Sequence, residues 1–429
     1  MIILSILIKR NTKEINIVKQ KHILILGAGT AGTIVANKLV TPAKKYDWKV
    51  TIVDQCDKHY YQPGFLMYPF GRYDEKDLVR DERDFLPQGV EYLHDGISRI
   101  DAEHQRVELM HGDAIEYDLL VIATGSRVNP KETPGMDDGE WGKSIMTFYE
   151  FEAAKALREI LKNFNQGIFV VHISEMPIKC PVAPLEFSFL ADDYFKKRGV
   201  REQITIKYVT PLDGAFTKPK ASKSLGHLLT EKNIEIIPDF NVERIDSKAK
   251  KLISYDGKEV GYDLLITVPV TKGDDVIGRS NLGDELNFVP TDHHTLQSKA
   301  HKNIFVMGDA TDVPASKAGS VAHFQADTLV DNIIRYLQGQ ELVANFDGHA
   351  NCFIETGGQK GLVIDFNYEI EPLEGNFPFP VIGPLRLLRE GRLNHVGKLI
   401  FRWMYWHIIL RGWPIPGISN KMSMLGKKK

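Results

Sequence analysis

A cysteine stands between a cation and a proline in the segment Lys179-Cys180-Pro181-Val182-Ala183-Pro184-Leu185-Glu186. Proline is favoured in the first turn of a helix, so a helix opening at Pro181 or Pro184 sets the thiol at or near a helix N-terminus beside Lys179. Both neighbours favour thiolate over thiol. Glu186, one to two turns into that helix, is placed to return a proton to a leaving sulfur. A second set of residues with chemistry in it follows the apolar run 22–26: Gly27-Ala28-Gly29-Thr30-Ala31-Gly32. Glycines at this spacing supply a tight turn, close approach of backbone to a pyrophosphate, and close helix–strand packing. A helix N-terminus just beyond adds free N–H groups and a dipole. Asp54 ends the next apolar strand, where a carboxylate can accept from a ribose 2′-hydroxyl.

These residues need alternating strands and helices to position them. The pattern predicts a strand at 22–26, a helix at 32–40, a strand at 49–53 and another from Tyr117 to Ala123. A second α/β unit follows, with strands near 168–173, 203–209 and 263–268 and helices at 148–164, 184–198 and 221–232. Its first strand, Ile168-Phe169-Val170-Val171, runs into His172–Pro181 with no glycine. No backbone there can close onto a second pyrophosphate, so the electrons come from something other than NAD(P)H. Ala123-Thr124-Gly125 closes a strand at the domain crossover, and Gly308-Asp309-Ala310 ends a later one. With the glycine turn, in this order, they resemble the FAD domain of the disulfide-reductase-like flavoproteins. That resemblance implies FAD held by Gly27, Gly29, Gly32, Asp54, Thr124, Gly125, Gly308 and Asp309. Residues 316–322 read as a helix opening, from which Lys317 and Gly319 would stabilise a reduced anionic flavin. His172, His323 and Gln325 are further candidates, though a given histidine is more often a satisfied polar group.

Composition narrows the function. With 43% hydrophobic and 26% charged residues the chain is an ordinary globular protein, and a net charge of −2 argues against bulk nucleic-acid binding. From Pro384 to Lys429, however, ten Lys/Arg face one acid, Glu390, as expected of a surface that meets anionic lipid or an acidic partner. Three cysteines, Cys56, Cys180 and Cys352, are too few for a disulfide framework. No spacing suits a metal, and no run reaches the roughly 18–20 apolar residues of a membrane span. In residues 1–8 the apolar stretch precedes Lys9 and Arg10, the reverse of a signal peptide.

Taken from residue 22 onward, the layout resembles sulfide:quinone oxidoreductase. The carriers are the glycine turn, Tyr60-Tyr61-Gln62-Pro63-Gly64, Ala123-Thr124-Gly125, the Cys180–Glu186 segment, Gly308-Asp309-Ala310 and Cys352-Phe353-Ile354-Glu355. The resemblance implies that Cys180 and Cys352 flank the flavin ring as a redox disulfide or persulfide pair, with Glu186 as acid/base. It also marks two departures. Met146 stands near where many members carry a third cysteine, and no cysteine lies in Tyr61-Gln62-Pro63 to tether the flavin. The expectation is therefore non-covalent FAD and a simpler sulfur product, with Cys56 structural, near the adenosine.

The fold class expected is α/β: two Rossmann-like domains of dinucleotide-binding type plus a C-terminal region ending in amphipathic helices. The boundaries are an extension at 1–20, an FAD-binding domain at 21–150 and 270–340, a second Rossmann-like domain without a nucleotide fingerprint at 151–269, and a quinone- and membrane-docking region at 341–429. Within 393–413, His395, Lys398 and Arg402 recur at helical spacing beside Leu399, Phe401, Trp403, Trp406 and Ile409, a composition suited to a lipid headgroup boundary or to a core helix. Phe353, Ile354, Phe377 and Phe379 are the candidates to enclose a quinone ring. Sulfide and quinone are the expected substrates and a membrane surface the expected partner, at the cytoplasmic face by default, with a homo-oligomer left open. Rival readings are a sulfide dehydrogenase subunit serving cytochrome c, an NADH:quinone oxidoreductase, and a redox sensor that binds FAD and signals through its disulfide without turnover.

Overall fold

A computed structural model of the chain describes residues 20–379 and 383–428; the segment expected as an N-terminal extension therefore lies almost wholly outside the described residues. In chain order the first elements are β1 (His22–Leu26), α1 (Thr30–Tyr46), β2 (Lys49–Asp54), β3 (Glu91–His94) and β4 (Leu119–Ile122). Next come β5 (Ile145–Met146), α2 (Phe151–Asn163), β6 (Gly167–Ile173), α3 (Ala183–Lys197), β7 (Ile204–Val209), α4 (Pro219–Glu231), β8 (Ile234–Ile237) and β9 (Leu264–Val268). The chain then passes through β10 (Ile304–Val306), α5 (Gly319–Leu337), β11 (Ala350–Gly357), β12 (Lys360–Phe366), β13 (Gly375–Phe377), β14 (Leu385–Leu387) and α6 (Arg392–Met404). A π-helical turn, Tyr405–Ile409, continues α6.

Two five-stranded parallel sheets result, ordered β10-β4-β1-β2-β3 and β5-β9-β6-β7-β8. Their central strands are apolar and buried, as parallel strands covered on both faces must be. The first sheet returns to residues 304–306 for its edge, so its FAD-type half is assembled from both sides of the intervening unit. A four-stranded sheet, β11-β12-β14-β13, follows in the C-terminal region.

The C-terminal expectation needs correction. A single α-helix with its π-turn, rather than several amphipathic helices, is the last helical element among the described residues, and its amphipathicity is inverted. The residues of α6 that are buried are Asn394 and Lys398. Leu393, Val396, Leu399, Ile400 and Trp403 are 40–57% exposed. His395, Lys398 and Arg402 turn inward to carboxylates on other elements, whereas Trp406 and Ile409 are core residues. No helix among the described residues is long and apolar enough to cross a membrane.

Candidate active site

The glycine turn has the form a pyrophosphate requires. Gly27 adopts φ +93°, and a Cβ there would lie 2.6 Å from the Ala123 carbonyl oxygen; one on Gly32 would lie 1.8 Å from the Gly27 oxygen. A Cβ on Gly29 would meet nothing within 4 Å. The first and third glycines thus close the packing while the second faces open space. No side chain caps α1 or α5, which leaves their first N–H groups available to an anion. Asp54 accepts from the Ala28 and Cys56 N–H groups (2.6 and 2.8 Å) and, with Gly27 and Thr124, borders an open cleft of about 820 Å³. The Thr124 hydroxyl is buried without a partner. Gly125 and Gly308 take positive φ, Gln325 accepts from the Gly308 N–H (2.8 Å), and Ser126 donates to Asp309 (3.2 Å). These residues fit FAD.

Lys317 behaves differently from the expectation. Its ammonium donates to the backbone oxygens of Asp309 and Thr311 (2.9 and 2.8 Å) and lies 3.7 Å from the centre of the Phe288 ring. Burial lowers its pKa to about 8. It braces the Gly308–Thr311 turn, while Gly319 begins α5. His172 is buried beside Thr267 (3.0 Å), its pKa lowered by burial to about 3. His323 is likewise buried, its pKa lowered to about 4.

The thiol segment crosses to the other domain. The Cys180 N–H donates to the Lys317 oxygen (2.8 Å), Tyr149 donates to the Lys179 oxygen (2.7 Å), and Cys180 has φ +42°. With α3 beginning at Ala183, the sulfur receives the Val182 and Ala183 N–H groups. Two sequence-level expectations change here. Burial outweighs the helix terminus and pushes the thiol up to about 11. The cation that acts on it is not Lys179, whose ammonium reaches Gln62 at 3.4 Å, but Lys398 of α6.

Cys352 is buried on β11, its thiol pushed well up by burial and then by Cys180. Both cysteines are free, and both share a field with Glu186 and Lys398. Glu186 is fully buried. Burial raises its pKa, against the pull of Lys398 and of the Glu355 N–H that it accepts. Lys398 lies 2.9 Å from its Oε1 and donates to Oε2 (3.1 Å) and to the Phe353 oxygen (3.0 Å). Oε1 has no aligned donor. Burial opposes the charge on Lys398, but Glu186, Cys180 and Glu355 hold its pKa above the usual lysine range. Behind this pair Glu355, also buried, accepts from His395 (2.8 Å) and from Arg72 (3.0 Å), which also reaches Asp193 (3.2 Å).

The expected ring-binding residues divide. Phe353 is partly buried, its ring 6.4 Å from that of Phe401. Ile354 is buried, Phe377 forms a small cluster with Val363 and Leu387 against which Phe353 also packs, and Phe379 is half exposed. Phe401 and Lys398 are the residues that sequence reasoning did not assign to the site.

Against known proteins, the pyridine nucleotide-disulphide oxidoreductase family model matches residues 21–326. The chain belongs to that family. It is an FAD-dependent oxidoreductase. Among curated relatives, the mitochondrial sulfide:quinone oxidoreductase of Dictyostelium discoideum is 28% identical, with 94% of this chain and 88% of that protein covered. The mouse mitochondrial sulfide:quinone oxidoreductase is 25% identical, over 94% of this chain and 90% of its own length. The fold matches the X-ray structure of the Aquifex aeolicus sulfide:quinone oxidoreductase with a TM-score of 0.75 at 21% identity, covering 92% of each chain. The sequence-level resemblance is thus borne out by these relatives, and the family membership accounts for the FAD cradle.

Proposed function

We propose that this chain is a sulfide:quinone oxidoreductase that works at a membrane surface. The observation that carries the reading is the meeting of Cys180, Cys352, Glu186 and Lys398 in one buried field, where a nucleotide loop would otherwise close. The net reaction converts hydrogen sulfide and quinone to sulfane sulfur and quinol. Hydrosulfide attacks a Cys180–Cys352 disulfide; one S–S bond breaks, another forms, and the products are a cysteine persulfide and a cysteine thiolate. Lys398 supplies positive charge at that thiolate. Glu186, which holds its proton more tightly than an exposed carboxyl, then protonates that thiolate; once a nucleophilic acceptor has taken the outer sulfur of the persulfide, Glu186 recovers the proton as the two cysteines lose two electrons and re-form the disulfide. Bound FAD would supply the two-electron relay from sulfur to quinone. The glycine-free segment after β6 favours sulfide over NADH as the electron source.

Phe353 and Phe401 are the residues we assign to the quinone ring, since Lys398 joins that end of the site to the sulfur pair. A bilayer-soluble acceptor requires a docking surface. The outward face of α6 has the apolar part of one, rimmed by exposed Arg386, Arg389 and Arg392. The deciding experiment is anaerobic stopped-flow flavin absorbance with sulfide, then decylubiquinone. Wild type should bleach and recover. Cys180→Ser should bleach on the order of a hundredfold more slowly, or not at all. A wild-type flavin that sulfide leaves oxidised and NADH bleaches would overturn the reading.

A further inference from the structure

A buried polar chain outside the sulfur site joins the C-terminal π-turn to the glycine loop. The Tyr405 hydroxyl shares hydrogen bonds with Thr30 Oγ1 (2.6 Å) and His59 Nε2 (2.8 Å). His59 Nδ1 meets Glu82 Oε2 at 2.7 Å. Thr33 Oγ1 then lies 3.0 Å from Glu82 Oε1 and 2.5 Å from the Ala28 oxygen. The chain thus starts and finishes on the loop, at Thr30 and Ala28, on either side of Gly29. Because Glu82 only accepts when ionised, His59 presents an Nδ1–H to it, and the Tyr405 hydroxyl also lies 3.5 Å from the Tyr60 oxygen. The single Thr33 hydroxyl hydrogen lies between two acceptors, the Ala28 oxygen and Glu82 Oε1.

Thr33, His59, Glu82 and Tyr405 are all buried. The Tyr405 ring also lies 3.9 Å from where a Cβ on Gly319 would stand, as does the methyl of Thr30. One side chain therefore reaches the start of both helices whose uncapped N-termini border the FAD cradle. A helix merely packed on this domain needs apolar contact, which Tyr61, Phe85 and Trp406 already provide around Tyr405 and His59. A buried polar chain that meets the pyrophosphate turn at Thr30 and at the Ala28 oxygen is a further contact that apolar packing does not require.

We propose that Tyr405, His59 and Glu82 are positioning residues for FAD, a clamp supplied by the C-terminal region that holds the glycine loop in its pyrophosphate-binding form. The proposal concerns retention of the cofactor alone, so it stands or falls independently of sulfide or quinone chemistry. Its test is FAD release after dilution of the holoprotein, followed by the rise in free-flavin fluorescence. Tyr405→Phe keeps the ring and strands two buried partners, and should release FAD about tenfold faster, as the loss of roughly one buried hydrogen bond predicts. Glu82→Gln, which breaks the ring at its far side, should do the same. Arg411→Gln loosens the same C-terminal segment at its contact with the Asp84 oxygen without entering the ring, and should release FAD at the wild-type rate. Wild-type release from both Tyr405→Phe and Glu82→Gln, or equally fast release from Arg411→Gln, would overturn the clamp.

Discussion

Cys180 lies under opposed influences, and their balance sets when it can react. The N–H groups at the start of α3 and the Lys398 ammonium pull its pKa down; burial pushes it up to about 11 and prevails. Thiolate is the nucleophile, so in the reduced protein alkylation of Cys180 by iodoacetamide should climb about tenfold per pH unit toward that value. Lys398→Met removes a lowering influence and should slow labelling at fixed pH several-fold. Peptide mass spectrometry reads both, and a wild-type plateau already reached below about pH 9 would contradict them. Cys180 and Glu186 were legible because the Lys-Cys-Pro setting and the helix start are local. Lys398 was not: on α6 it reads as one of three cations at helical spacing, and its partner Glu186 lies 212 positions away. Lys179, adjacent in sequence to the thiol, was credited with work that a distant lysine does.

At the scale of elements, strand periodicity and glycine spacing located the inner strands of both parallel sheets, because buried parallel strands are continuous apolar runs; the short edge strands β3, β5 and β8 carry no such run and were not legible. The predicted helix at 32–40 extends in fact over Thr30–Tyr46 with Pro42 inside it, a proline that sequence alone reads as a stop. For α6, composition marked a lipid or core helix without saying which face was which. Its polar residues point inward because carboxylates on other elements await them, Glu186 and Glu355 buried and Asp77 partly so, and that leaves the apolar side outermost. Paired Ile400→Asp and Trp403→Asp substitutions should therefore abolish co-sedimentation with phosphatidylglycerol vesicles while leaving FAD content unchanged. Undiminished binding would show that lipid docks elsewhere.

Across the whole molecule, Glu355 serves as a junction. It sits on β11, Arg72 reaches it from the first domain, His395 from α6, and Arg72 continues to Asp193 on α3. Arg72→Met deprives a fully buried carboxylate of one cation and should cost about 2 kcal/mol in chemical denaturation, below the full penalty because His395 remains. No loss of stability would mean that the junction is redundant. The π-turn carries a different consequence. Trp403 faces outward at one end and Tyr405 faces the cofactor loop two residues later. Binding free energies at two coupled sites are reciprocal, so whatever factor docking lends to FAD retention, FAD lends to docking. On the docking proposed above, a clamp coupled through α6 would make cofactor occupancy a partition coefficient: FAD-loaded protein should co-sediment with vesicles more than the empty protein, and equal co-sedimentation would exclude the coupling.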